Sequence, residues 1–461
     1  MASEIKSLVE IVKIKGGKRL PKGESLQTDE NKHPYIRVRD MGGRYIPKNG
    51  LEYVPENIFP KISRYIVEEN DVIISIVGTV GLVSIIDKYF HKASQTENCA
   101  KLSGLSEVDA KYLYYYLISP CGQQEISTYT VGAVQPKLPL YGIESISVPW
   151  FKESKRAEIA HILGSLDDKI ELNRQMNETL EAMAQALFTS WFIDFDPVID
   201  NALAAGNAIP DELLERAEQR KSIKKKDNTE IQNLFPNEFE LTEEMGWIPK
   251  GWQELQIKDI AKVVKGKSYK SSELAESQTA LVTLKSFKRG GGYRLDGLKE
   301  YTGKYKEEQE VKAGDLVVAY TDVTQAADLI GKPAMVIDDI RYKHLVISLD
   351  VAVVRPEIDS QKYYLYGLAQ TEAFQSHNYS HSTGTTVLHL SKNAVPNYYL
   401  CLPSENLLHG FTKIVEPLFT SVNNNIGEIR NLEKLRDTLL PKLMSGELHI
   451  ADAAALIDEA I

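Results

Sequence analysis

Two stretches of this chain carry apolar residues at steps of three and four, and each follows a series of shorter runs with strand-like patterning. In the first series, YIRVR (35–39) alternates apolar and polar positions, the period of a half-buried strand. DVIISIV (71–77) is a β-branched run that fits a strand buried on both faces, and GTVGLVSII (78–86) continues as a turn and another strand. KYLYYYLIS (111–119) fits a short helix with an aromatic face, and ISVP (146–149) is a closing strand that bears a proline. The first long pattern predicts a helix from an N-cap at Ser154 to Phe195, with Asp196-Pro197 as its stop. Its seam is Ile162, Leu166, Ile170, Leu180, Met183 and Leu187, and the irregular step after Leu166 reads as a coiled-coil stutter. The second runs from Glu405 to Met444 with the seam Ile414, Leu418, Val422, Leu432, Leu435 and Leu439. Pro417 should kink it or mark the start of its regular part, and Ser445-Gly446 supplies a stop. About 38 helical residues would span roughly 57 Å.

The chain repeats itself at a spacing of 252 residues. Ile159, Ile162, Leu166, Ile170, Leu180, Met183 and Leu187 match Phe411, Ile414, Leu418, Val422, Leu432, Leu435 and Leu439. The same offset pairs Ile5, Leu8, Ile11 and Val12 with Ile257, Ile260, Val263 and Val264, and Val131, Gly132 and Leu138 with Thr383, Gly384 and Leu390. Inside the domains the offset drifts, to 246 for YIRVRDM against LVTLKSF (281–287) and to 244 for Asp71 against Asp315. KYLYYYL returns as KYYLYGL (362–368), and ISVP as LCLP (400–403). The fold class expected is therefore α/β (α+β): two β-rich domains related by a pseudo-two-fold and separated by two long antiparallel coiled-coil-like helices. The boundaries expected are a first domain at 1–150, a helical spacer at 151–199 and a connector at 200–247. A second domain at 248–403, a second helical spacer at 404–450 and a tail at 451–461 follow. The connector should hold a short helix near Pro210–Arg220, and its KKKD run (224–227) reads as a solvated loop.

Composition changes this picture little. At 461 residues two to four domains are expected, and with 43% hydrophobic and 26% charged positions the composition is that of an ordinary globular protein. Cys99, Cys121 and Cys401 are scattered and read as buried thiols in a reducing cytoplasm. No apolar run reaches the length of about 18 residues that spans a membrane, and the start MASEIKSLVE lacks a signal-peptide core. Charge matters more by place than by sum. The net charge is −10, yet residues 1–52 hold eleven Lys/Arg against seven Asp/Glu, and residues 258–306 hold twelve against five. Two basic stretches at matching places in a repeat suit phosphates.

Catalytic signatures are missing. There is no Walker A loop, no strand-linked G-x-G-x-x-G, no aspartate-rich or Asn-Pro-Pro-Tyr methyltransferase signature, no G-x-S-x-G and no H-E-x-x-H. His377, His381 and His389 have the spacing of a loop entering a strand, not of a metal site. Asp167, Asp168 and Glu171 lie on a helix flank, which offers no pocket for acid–base chemistry. What remains is recognition chemistry, because Arg and Lys can donate to guanine, and Gln and Asn can read adenine. The candidates are Arg37, Arg39, Arg44, Thr79, Ser94-Gln95-Thr96, Gln135 and Lys137 in the first half. Those in the second half are Lys285, Lys288, Arg289, Arg294, Thr321, Thr324, Gln325, Thr383, Thr385, Thr386 and His389.

Three stretches resemble one family. RAEIAHILGSLDDKIELNRQMNETLEAMAQALFTSWFIDFDPV (156–198) is similar to the central conserved region of Type I restriction–modification specificity (S) subunits. GWIPKGWQ (246–253) resembles the start of a second target-recognition domain there, and IRNLEKLRDTLLPKLMSGEL (429–448) the C-terminal conserved region. The resemblance implies that each β-rich domain reads half of a bipartite double-stranded DNA target. It implies that the helices space the readers and dock two modification (M) subunits, with restriction (R) subunits added. It implies a non-catalytic chain without cofactor or metal, its partners supplying S-adenosylmethionine, ATP and Mg chemistry. Two alternatives are a self-contained modification or restriction enzyme and a coiled-coil adaptor without DNA readout.

Overall fold

The computed structural model describes residues 4–223, 229–324 and 326–458, so the KKKD run and Gln325 lie outside the described residues. The chain divides into two compact units, Met1–Arg174 with Ile426–Ile461, and Gln175–Asn425. Both mix helices and strands.

In the first unit a four-stranded antiparallel sheet runs in the order Lys13–Gly16, Cys99–Ser103, Val72–Ser75, Val83–Ile85. Every residue of Val72–Ser75 is buried, as its β-branched run requires. Tyr35–Ile36 pairs in parallel with Ser94–Gln95, and Glu4–Ser7 pairs antiparallel with the closing strand Ser147–Trp150. The helix Glu107–Ile118 covers the sheet, and its four tyrosines 112, 114, 115 and 116 are all buried, so the aromatic residues extend beyond a single face. The second unit repeats this plan. Ala261–Lys265, Val351–Pro356, Leu316–Ala319 and Pro333–Met335 form the sheet, and Thr279–Val282 pairs in parallel with His344–Ile347. Lys362–Ala369 is the covering helix, and Gln253–Gln256 pairs with Tyr399–Leu402.

Hydrogen bonds repeat with the residues. The Gln123 amide donates to Gly81 O (3.0 Å) and Leu117 O (2.8 Å); Gln375 donates to Gly331 O (3.0 Å) and Ala369 O (2.7 Å). The Tyr364 hydroxyl donates to Cys401 O, as Tyr112 does to Pro149 O. At the start of each half the structure corrects the offset. Leu8 N donates to Ile146 O and Ile257 N to Tyr398 O, while Gly17 N and Gly266 N donate to Cys99 O and Val351 O. Leu8 is thus the counterpart of Ile257 at 249 residues, not of Ile260 at 252. The strand expected over YIRVR also stops early, at Ile36, and Val38–Asp40 forms a 3-10 turn matched by Leu284–Ser286.

The long helices are Glu153–Phe188 and Glu405–Ser445. Ser154 lies inside the first helix and does not cap it. Pro197 does not end it either. A single π turn, Thr189–Ile193, follows, and Phe195 then takes left-handed backbone (φ 53°). Pro197 sits in the first turn of the next helix, Asp196–Ala205, where its missing N–H removes no bond. The second helix continues through Pro417. Gly446 (φ 76°) closes it, with Leu448 N donating to Lys442 O.

The stutter is absent as well. Along the first helix the seam steps through 163, 166, 170, 173, 177, 180, 184, 187 and 191, alternating three and four throughout. Asn173 and Asn177, 2% and 8% exposed, occupy seam positions that apolar patterning skips. Met183 is 54% exposed and Ala184 takes the buried place beside it. In the first unit Ile162, Leu166, Ile170, Leu432, Leu435 and Leu439 share one core. In the second, Leu187, Ile414 and Leu418 pack at the edge of the other. Val422 is buried, and Leu180 half-buried.

Each unit joins its sheet domain to these helices with different chemistry. In the first, the Tyr115 hydroxyl and Arg436 Nη1 donate to the two oxygens of Asp167, at 2.7 and 2.8 Å. In the second, the repeat places Gly367 and Phe419 at those positions. A Cβ on Gly367 would collide with the Phe188 ring, and Phe419 stacks on Tyr363 at 5.1 Å. Ile450–Asp458 is a helix, and Ala453 and Ile457 enter the first core. The connector folds onto the second unit, with a short helical stretch at Asp211–Lys221 whose Arg216 and Arg220 grip Asp196 and Asp200.

Candidate nucleic-acid interface

Both units carry their exposed polar loops where strands end. In the first unit the turn after Val72–Ser75 contains Gly78 (φ 83°) and Gly81 (φ 89°), conformations that favour glycine. Ser75 staples it: its hydroxyl donates to Thr79 O (2.6 Å) and accepts from Leu82 N (2.8 Å). Thr79 is exposed at the tip. Beside it lies the loop 131–137. Val131 and Lys137 exchange N–H···O bonds of 2.8 Å, and Leu138 N donates to Ile76 O. Lys137 bridges Val77 as well, so the two loops are stitched together. Gln135 and Lys137 are exposed, and Val134 at the tip is 100% exposed.

The second unit builds the same device. Thr321 pairs with His389, and His389 with Thr383, the positions that Val77, Lys137 and Val131 hold in the first. His389 thus stands where Lys137 does. Thr383, Thr385, Thr386 and His389 are exposed, whereas the Thr321 side chain is buried with its hydroxyl 3.5 Å from His389 Nδ1. The loop that follows is wound around buried Asp322, which accepts from the N–H of Thr324 (2.6 Å), Leu329 (2.5 Å) and Ile330 (2.9 Å). Burial alone would raise the Asp322 carboxyl, but these bonds and that of the Thr324 hydroxyl outweigh it and hold the group below its ordinary range. A third loop adds positive charge. Phe287 and Tyr293 pair across a tip of three positive-φ glycines, 290–292. Lys285, Lys288 and Arg289 are exposed there, and Arg289 at 80% has only a distant partner, Asp328 at 3.9 Å. Gly290 N donates to Asp328 O, which ties this tip to the loop around Asp322. Arg294 is held by Asp296 (3.0 Å).

Five first-half candidates, Arg37, Arg44, Ser94, Gln95 and Thr96, face inward instead. Arg37 is ion-paired with Glu52 and Asp40, because the chain turns at Val38 where the strand was expected to continue. Arg39 shares Glu52 (2.9 Å) but stays 60% exposed. Arg44 donates to Gly164 O (3.2 Å) and the Tyr115 hydroxyl (3.3 Å) and pairs with Asp168. Although burial opposes the charge, Tyr115 and Asp168 together raise its pKa above the ordinary arginine range. Gln95 is 1% exposed, between Ser94 and Thr96, which are also buried. Sequence reasoning passed over Val134, because an apolar residue in a loop gives no polar signal. Among the described residues no group of three His, Cys, Asp or Glu could hold a metal ion, and no helix is long and apolar enough to cross a membrane.

Comparison with known proteins assigns this architecture. The family model described as the Type I restriction modification DNA specificity domain matches twice, over residues 2–182 and 249–433. The chain belongs to that family. It is 24% identical over 464 residues to the Type I restriction enzyme MjaIX specificity subunit of Methanocaldococcus jannaschii, covering 97% of this chain and 94% of the relative. It is 25% identical over 338 residues to the HindI specificity subunit of Haemophilus influenzae, covering 68% and 71%. A crystal structure of the Type I restriction–modification S subunit from M. genitalium aligns over 95% of each chain, at 16% identity and a TM-score of 0.47.

Proposed function

We propose that the chain is the sequence-specificity subunit of a Type I restriction–modification complex, each unit reading one half of a bipartite double-stranded DNA target. The observation that carries this reading is the pairing of two specificity-domain matches with two copies of one loop device. The frame of the device repeats and its exposed tips differ, Val134-Gln135-Lys137 against Thr385-Thr386-His389. Equivalent frames with different tips suit two different half-sites. A good base contact discriminates by about 1–3 kcal/mol, so a few contacts per unit add up to a specific site. In the first unit the readers are Arg39, Thr79, Gln135 and Lys137. In the second they are Thr385, His389, Lys285, Lys288 and Arg289.

In this reading the long helices set the unread gap between half-sites and dock two modification subunits, with restriction subunits joining the complex. Methyl transfer belongs to the M subunits with S-adenosylmethionine, and ATP- and Mg-dependent steps to the R subunits. The chain itself is non-catalytic and works in the cytoplasm. That the sequence carries no aspartate-rich or Asn-Pro-Pro-Tyr methyltransferase signature favours this over a self-contained modification enzyme.

The direct test is methyl transfer from labelled S-adenosylmethionine to DNA. Chain plus M subunit should transfer, and either alone should not. Transfer by the purified chain alone would overturn the proposal.

A further inference from the structure

The connector ends in an antiparallel hairpin, Phe239–Thr242 with Gly246–Pro249, whose register sets Trp247 directly opposite Leu241. Ile248, the next residue, is 2% exposed and joins the core of the second unit. The pleat therefore turns Trp247 and Leu241 outward together. They are 38% and 65% exposed, and Met245 in the connecting turn is 36% exposed. Single exposed apolar residues are ordinary, but a tryptophan, a leucine and a methionine gathered on one hairpin are not.

The hairpin is braced. Glu254 accepts from the N–H groups of Glu244 (3.2 Å) and Met245 (3.1 Å), and Glu240 from that of Gly251 (2.7 Å). Lys250 N donates to Glu238 O at 2.9 Å. A surface already ordered loses little entropy on binding. Its charge is one-sided. Residues 238–254 hold five glutamates against one lysine, Lys250, and Glu243 and Glu244, exposed in the turn beside Met245, form the acidic rim of the patch. That rim repels phosphates, so the patch is no part of a DNA surface. An apolar centre inside a charged rim is the anatomy of a protein–protein contact, and tryptophan is among its commonest anchors.

We propose that Trp247, Leu241 and Met245 form a docking knob for the modification subunit, which meets it with an apolar pocket ringed by Lys and Arg. The inference rests on the reading of the chain as a specificity subunit. A partner that works on DNA presents basic surface, which complements the glutamate rim. The knob leads directly into Gln253–Gln256, the strand that pairs with Tyr399–Leu402 to close the second unit.

The test uses the full chain and the purified modification subunit, with affinity measured by calorimetry. Trp247→Ser should weaken binding at least tenfold. Glu243→Lys with Glu244→Lys, at exposed turn positions that carry no core contact, should also weaken it and flatten its salt dependence. Unchanged affinity in both variants, with wild type binding, overturns the knob and leaves the specificity reading standing. A wild-type chain that does not bind the modification subunit overturns both. Light scattering covers the remaining occupant. If Trp247→Ser abolishes self-association of the chain and leaves modification-subunit affinity intact, the knob serves a second copy and the proposal falls.

Discussion

At the residue scale, Asp167 shows how much one buried carboxylate organises. It is 8% exposed and receives both Tyr115 and Arg436, and it raises the Arg436 guanidinium above its ordinary range against the pull of burial. Removing one partner of a buried pair leaves the other charge uncompensated, at a cost of about 3–5 kcal/mol. Asp167→Ala should therefore lower stability by about 3 kcal/mol in urea denaturation, and Asp167→Leu with Arg436→Met should recover most of it. Glu181 is the opposite case. It lines a cavity of about 130 Å³ with Gly290–Gly292, Lys332 and Tyr366. Burial raises its carboxyl, Glu178 adds to the rise, and Lys288 opposes it. A carboxyl with a raised folded pKa favours the folded state at low pH and costs stability as pH rises through that value. Glu181→Gln should thus raise Tm at pH 8, and the gain should shrink as pH is lowered to about 3, below the ordinary glutamate value of about 4.3, where the wild-type carboxyl is protonated in both states. A gain independent of pH would mean that the carboxylate is not penalised by burial.

At the scale of elements, the long helices show what apolar patterning reads and what it misses. Both helices, most of their seam and the glycine stop were legible, because three-four spacing is a strong signal over many turns. The stutter was misread because Asn173 and Asn177 hold seam positions without an apolar side chain. Asn425 donates to Asn177 at 2.8 Å, and Asn173 to Glu428 at 2.9 Å. Polar seam residues fix register at the expense of stability. Asn177→Leu with Asn425→Leu should raise Tm by a few degrees and broaden the transition; a lower Tm would mean that the pair is a net stabiliser. The loops were legible only in part. Lys285, Lys288 and Arg289 are exposed as expected, whereas Arg37 and Arg44 found internal partners and Gln95 is buried. Gly164, which receives Arg44, lies 120 residues further along, a contact that no local pattern encodes. Changing Lys285, Lys288 and Arg289 to Gln should weaken DNA binding by the assembled complex across all sequences. The slope of log K against log salt should flatten by as much as about 2.7, at roughly 0.9 per phosphate contact. An unchanged slope would remove these three from the interface.

At the scale of the whole molecule, the repeat carries the account. Fold class and family were legible because the frame of the sheets, the closing strands and the helices keep a near-constant offset. The 249-residue offset at the start of each half was missed because apolar residues there recur every three or four positions, so a three-residue slip still matches like with like. The tips diverge, Lys137 becoming His389 and Val134 becoming Thr386, while the hydrogen bonds beneath them persist. The two joints diverge too, ionic around Asp167 and aromatic around Phe419. A duplicated frame with independent tips should read two unlike half-sites. Methylome sequencing of a host carrying this chain with its modification subunit tests that most directly. The account predicts methylated adenines in one asymmetric motif, two short specified blocks separated by a fixed run of unspecified bases. Methylation at a single uninterrupted motif, or at none that depends on this chain, would contradict it.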